Sequence, residues 1–174
     1  MSALLERLTF GAIASDLSDW TRLGAKGWLE QQLSPTKEDS KVEEALQGAL
    51  LRISYGASAA TPPDYPAVNE NRALTSLTQS TQQLWPLVDN NRKIAYEERV
   101  RPLREAAASK LLHARYSRWQ LRELMLDFWQ NHFNVHAGDA AIAVAIPEFD
   151  RELRRLALGN FQELLSYEIG RAHV

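Results

Sequence analysis

Apolar positions recur along most of this chain with the 3.6-residue period of an α-helix. In "ALLERLTFG" Leu4, Leu5 and Leu8 share one stripe, and Gly11 ends it. "SDLSDWTRLG" predicts a second helix with Ser15 as its N-cap and Gly24 at its end. "GWLEQQLSP" places Trp28, Leu29 and Leu33 before the stop at Pro35. A fourth helix is predicted from about 41 to 53, with Val42, Leu46, Ala49, Leu50 and Ile53 on its apolar face. "SYGASAATPPDYP" interrupts the pattern and reads as a linker or exposed loop.

Helical spacing resumes from about 70 to 84, and Pro86 closes that segment. Residues 90–117 read as a long charged helix in which Pro102 either makes a kink or opens a second helix. "SRWQLRELMLDFWQNHF" is the strongest helical segment. Ser117 is its N-cap, and Leu121, Leu124, Met125, Phe128 and His132 follow the apolar period. "AAIAVAI" is expected to be a short strand or buried connector. "PEFDRELRRLALG" should then open a helix with Pro147 at its first position and stop at Gly159. "NFQELLSY" follows, with Asn160 as cap and Glu163 three residues on. The fold class is all-α: an irregular assembly of about eight or nine helices, with a Pro/Ala/Ser-rich loop near 54–69.

Composition narrows the functional classes. A formal charge of −2 gives no general attraction to nucleic acid or anionic membrane. The "RELRR" cluster, Arg151 to Arg155, reads as a solvated helix face. With no cysteine, disulfides, thiol nucleophiles and cysteine-based zinc sites are excluded. No apolar run approaches the roughly 20 residues needed to span a bilayer. The N-terminus lacks the basic and apolar regions of a signal peptide. Glu97, Glu98 and Glu105 are spaced to form surface ion pairs with Arg101 and Arg104. The five tryptophans are expected mostly in the core, with a carbohydrate-stacking platform of exposed tryptophans as the alternative.

One stretch carries candidate chemistry: "DFWQNHFNVHAGD", Asp127 to Asp139. His132 and His136, four residues apart, could present two imidazoles on one helical face as a metal pair. Asp127, Asp139 or Glu123 could add a carboxylate, and Asp127 with His132 is the candidate catalytic pair. Against the metal reading, no glutamate follows the first histidine, and Val135, Ala137 and Gly138 signal a helix end. The alternative is structural. It puts His132 at the core edge, donating to a backbone carbonyl or carboxylate, with Trp129 and Phe133 packing and Asn131 and Asn134 capping or bridging. His113 is expected in an interhelical hydrogen bond. No phosphate loop, nucleophile elbow or cofactor motif is present, and no cofactor is indicated.

The end of the chain reads differently. "EIGRAHV", back-translated as GAG ATC GGA AGA GCA CAC GTC, is similar to the opening of a widely used short-read sequencing adapter. The expectation is that native sequence ends near Tyr167 and that residues 168–174 are read-through, so Arg171 and His173 carry no functional weight. Codons other than the adapter's in the nucleotide record would refute this.

Three segments resemble one bacterial family. They are "LLERLTFGAIASDLSDWTRLGAKGWLEQQLSP", "LLHARYSRWQLRELMLDFWQNHFNV" and "RELRRLALGNFQELL". The family is the one catalogued as domain of unknown function 1800, and the resemblance runs from Leu4 to Leu165. It implies a largely helical, exported protein without an established activity and commonly longer than this chain. A later family motif around Asn-Glu-Asn is absent, which implies an N-terminal part whose partner is the missing C-terminal half of its own chain. Relatives tend to carry an aromatic residue at the position of His136, which counts against that residue as a shared ligand. The function expected is binding or assembly, with partners unknown. The alternative is an enzyme, such as a metal-dependent hydrolase, whose site includes Asp127 and His132 and is completed by the C-terminal half. The apolar residues of the last helix, Phe161, Leu164 and Leu165, are expected to be partly exposed for want of partners.

Overall fold

A computed structural model describes residues 3–35, 39–133 and 140–171. Asn134, Val135, His136, Ala137, Gly138, Asp139 and His173 lie outside the described residues. Those described form nine α-helices and one two-stranded antiparallel sheet. The order is α1 (Ala3–Arg7), α2 (Ala14–Gln32), α3 (Ser40–Gly48), β1 (Leu50–Tyr55), β2 (Val68–Ala73), α4 (Thr81–Leu84), α5 (Tyr96–Arg99), α6 (Arg101–Tyr116), α7 (Gln120–His132), α8 (Ala140–Leu156) and α9 (Phe161–Arg171). Short 3₁₀ turns cover Thr75–Thr78 and Trp85–Leu87. The mostly helical class is as the period predicts. No described helix is long and apolar enough to cross a membrane.

The chain divides into two compact units. The first comprises residues 1–43, 112–134 and 152–174, and the second 44–111 and 135–151. In the first unit α2 is two helical stretches end to end, and the first stops at Gly24 as expected. Gly24 takes φ of +70°, a left-handed value that a side chain would strain, and the chain kinks there before the second stretch. Ser15 lies inside α2, and the entry is closed instead by Asp16, whose carboxylate accepts from the backbone N–H of Ile13 at 3.0 Å. Trp28, 1% exposed, and Leu5 are core residues of this unit.

Two buried amides tie its N-terminal segment to the start of α7. Gln32 donates to the Arg118 carbonyl at 2.8 Å and accepts from the Leu121 N–H at 3.2 Å. Gln120 accepts from the Phe10 N–H at 3.0 Å and donates to the Ser117 carbonyl at 2.7 Å. Each side chain satisfies backbone groups that burial would otherwise leave without partners. Ser117 acts just outside α7, its hydroxyl accepting from the Trp119 N–H at 3.0 Å.

The second unit departs most from the helical expectation. Residues predicted as one helix over 41–53 divide into α3 and β1, and the segment predicted as helix over 70–84 begins with β2. Leu50 pairs with Ala73 and Tyr55 with Val68, so the Pro/Ala/Ser-rich loop joins a hairpin. Ile53, fully buried, faces inward from β1. Val42, Leu46, Ala49, Leu50 and Ile53 do fit a helical stripe, but only the first part of it is used. "LRISY" has the β-branched and aromatic residues a strand favours, and its pairing partner lies well along the chain, out of reach of a local period.

Pro102 sits at the second position of α6, where no intrahelical donor is required, so it opens the second helix rather than kinking one. Pro147 is not at a helix start. "AAIAVAI" forms the first turns of α8 and Pro147 lies within it, because an alanine-rich run pays little to be helical and the buried proline forfeits one hydrogen bond.

Helix α4 is only Thr81–Leu84 and depends on its caps. The Ser80 hydroxyl accepts from Gln83 N–H, and Glu148 accepts from both the N–H (2.6 Å) and the hydroxyl (2.7 Å) of Thr81. Glu148→Ala is expected to lower stability by about 1–2 kcal/mol, read as a shifted urea midpoint, because it removes this capping acceptor. A midpoint unchanged from wild type would show that the contact contributes nothing.

Candidate functional site

Helix α7 ends in a run of aromatic rings. Leu121 and Leu126 are buried, but the apolar period continues past the part of the helix that other elements cover, and Phe128 is 50% exposed. His132, in the last turn, is exposed as well. Its ring lies 5.7 Å from that of Phe128 at an interplanar angle of 16°, and edge-on to Trp129 (5.8 Å) and Phe133 (5.4 Å). The expectation of a core-edge histidine donating to a carbonyl or carboxylate is therefore corrected: its described contacts are rings.

Trp129 is the hub of this group. It is half-buried, its indole N–H donates to the Ala157 carbonyl at 3.0 Å, and its ring meets Phe128, Phe133 and Phe161 at 4.9, 5.9 and 5.6 Å. Spacings of this size and tilt are those in which aromatic pairs attract beyond their buried area. Phe161 opens α9, where the Asn160 side chain accepts from Gln162 N–H at 2.7 Å and sets the helix start. Phe161 stays 50% exposed and Leu165 37%, as expected, whereas Leu164 is buried at 1%. The result is a solvent-facing aromatic surface made by Phe128, His132 and Phe161 around a pinned tryptophan.

The helix separates Asp127 from His132. Five residues turn an α-helix through about 140° beyond a full rotation, so the two side chains leave α7 on different sides. Asn131 donates its amide to the Asp127 carbonyl at 2.9 Å and to its carboxylate at 3.3 Å. Glu123, the other carboxylate of interest, is 3% exposed and held within 3.1 Å of Arg122 and 3.0 Å of Arg154. It is a structural anion, out of reach of a solvent-borne metal. Among the described residues no three of His, Asp and Glu converge as a ligand set. The proposed partner histidine, His136, and Asp139 fall outside them.

The basic cluster at the end of α8 is in part put to structural use. Arg154 pairs with buried Glu123, whereas Arg151, which donates to the carbonyls of Leu77 and Gln79, and Arg155, paired with Glu152, are exposed as the solvated-face reading expects. His113 is buried on α6. Of the five tryptophans, Trp28 and Trp119 are buried and Trp85 is 51% exposed.

A scan of family models matches residues 3–169 to the family described as "Protein of unknown function (DUF1800)". The chain belongs to this family. The match takes in every element from α1 to the body of α9, so in this DUF1800 chain the aromatic surface and the buried Glu123 cluster lie wholly inside the family region. No curated protein matches the chain, and no solved structure matches it.

Sequence reasoning located Phe128, Trp129, His132 and Phe133 but assigned them inward-facing work. It missed the joining of Phe161 to them. The one available signal was that both segments place bulky aromatics at a helix terminus, at the end of α7 and at the start of α9.

Proposed function

We propose that this DUF1800 chain is a binding or assembly module of an exported bacterial protein, and that the rings of Phe128, His132 and Phe161 form its contact surface. The observation that carries the reading is that two phenylalanines, each half exposed, and an exposed histidine gather around one hydrogen-bonded tryptophan. Water-facing aromatics held in place in this way have little rotamer freedom left to lose on binding, and aromatic residues dominate the energetics of protein contact surfaces. The separation of Asp127 from His132 around α7 supports binding over acid–base catalysis by that pair.

The test compares the wild-type chain with the double variant Phe128→Ser/Phe161→Ser on a panel of neutral polysaccharide, extended peptides and lipid vesicles. The expected result is retention of one class by the wild type and a loss of about tenfold or more in the variant. The melting temperatures should stay close, because both rings are already half in water. A variant that binds as the wild type does, or a wild type that retains no member of the panel, overturns the proposal. Stoichiometric metal lost on His132→Ala would favour the enzyme alternative instead.

A further inference from the structure

We draw no further inference here: the strongest candidate, the open pocket of about 580 Å³ that Arg155, Asn160, Glu163 and Tyr167 line beside the start of α9, is built on a helix N-terminus whose lining cation, Arg155, is already paired with Glu152, and nothing else among the described residues points to a ligand there.

Discussion

Glu123→Ala is expected to cost about 3–5 kcal/mol of stability, the largest single effect at any charged residue of the first unit. The carboxylate is 3% exposed on α7. One oxygen takes the Arg122 guanidinium at 3.1 Å and the other takes Arg154 of α8 at 3.0 Å. Both arginines are themselves 8% exposed, so removing the anion they share takes from two buried cations a charge that holds both. The intact cluster need not be strongly stabilising, because three charges were desolvated to build it. Replacing Arg122, Glu123 and Arg154 together with apolar residues of similar volume should therefore cost less than Glu123→Ala alone. Urea unfolding of the two variants checks both statements. A Glu123→Ala variant within about 1 kcal/mol of wild type would show that the cluster is not the buried tie described here.

A comparable loss, about 2–4 kcal/mol, is expected for Glu105→Ala in the second unit, accompanied by a characteristic pH dependence in the native protein. Glu105 is fully buried on α6. It accepts from the Ser76 N–H at 2.6 Å and from Arg101 at 3.3 Å. Arg101 in turn faces Glu98 at 3.3 Å, and Glu98 accepts from Arg72 at 2.7 Å and from the Tyr55 hydroxyl at 3.0 Å. The chain of contacts thus links α6 to the 3₁₀ turn, to α5 and to both strands of the hairpin. Of the expected surface ion pairs, Arg101 pairs with Glu98 and with Glu105, Glu97 and Arg104 form none among the described residues, and Glu105 is interior.

Burial raises the Glu105 carboxyl above its ordinary 4.5, and it outweighs the Ser76 and Arg101 contacts that favour the anion. The folded protein therefore holds this proton to higher pH than the unfolded chain does. The contribution of Glu105 to stability is greatest below 4.5, falls as pH rises through its elevated folded value, and then levels off. Subtracting the stability of Glu105→Gln from that of wild type, pH by pH, isolates this term from the other carboxylates. The difference should decline across that window. A difference that grows with pH would mean that the hydrogen bonds, not burial, dominate the site.

Much of the helical framework was legible in the sequence because it is written locally. The stripe from Leu121 to Phe128, the proline at the head of α6 and the Asn160 cap each depend on residues within a turn or two of one another. The class of the fold followed from that period. The family likeness was legible too, carried by the residues of three segments and not by the period. Where local signals compete, tertiary context decided. The apolar positions from Val42 to Ile53 suit a helix throughout, yet residues 50–55 pair with 68–73 because strand pairing draws on a partner that no local window contains. The alanine-rich run before Pro147 became helix although the proline pointed to a later start.

The same distinction governs the candidate site. Helical geometry alone, read from residue spacing, sets Asp127 and His132 on different sides of α7. Which side of the helix is covered is another matter. Spacing marks Glu105 and Arg101 as neighbours, but only packing makes Glu105 interior and shifts its proton affinity. Spacing marks Phe128 and His132 as one stripe, but only the meeting of α7 with α9 leaves them in water beside Phe161, with Trp129 fastened to Ala157. By itself the sequence determined the helices and the identity of the rings. Burial and exposure are properties of contacts between distant segments, so the tertiary structure alone decided which of those residues face solvent.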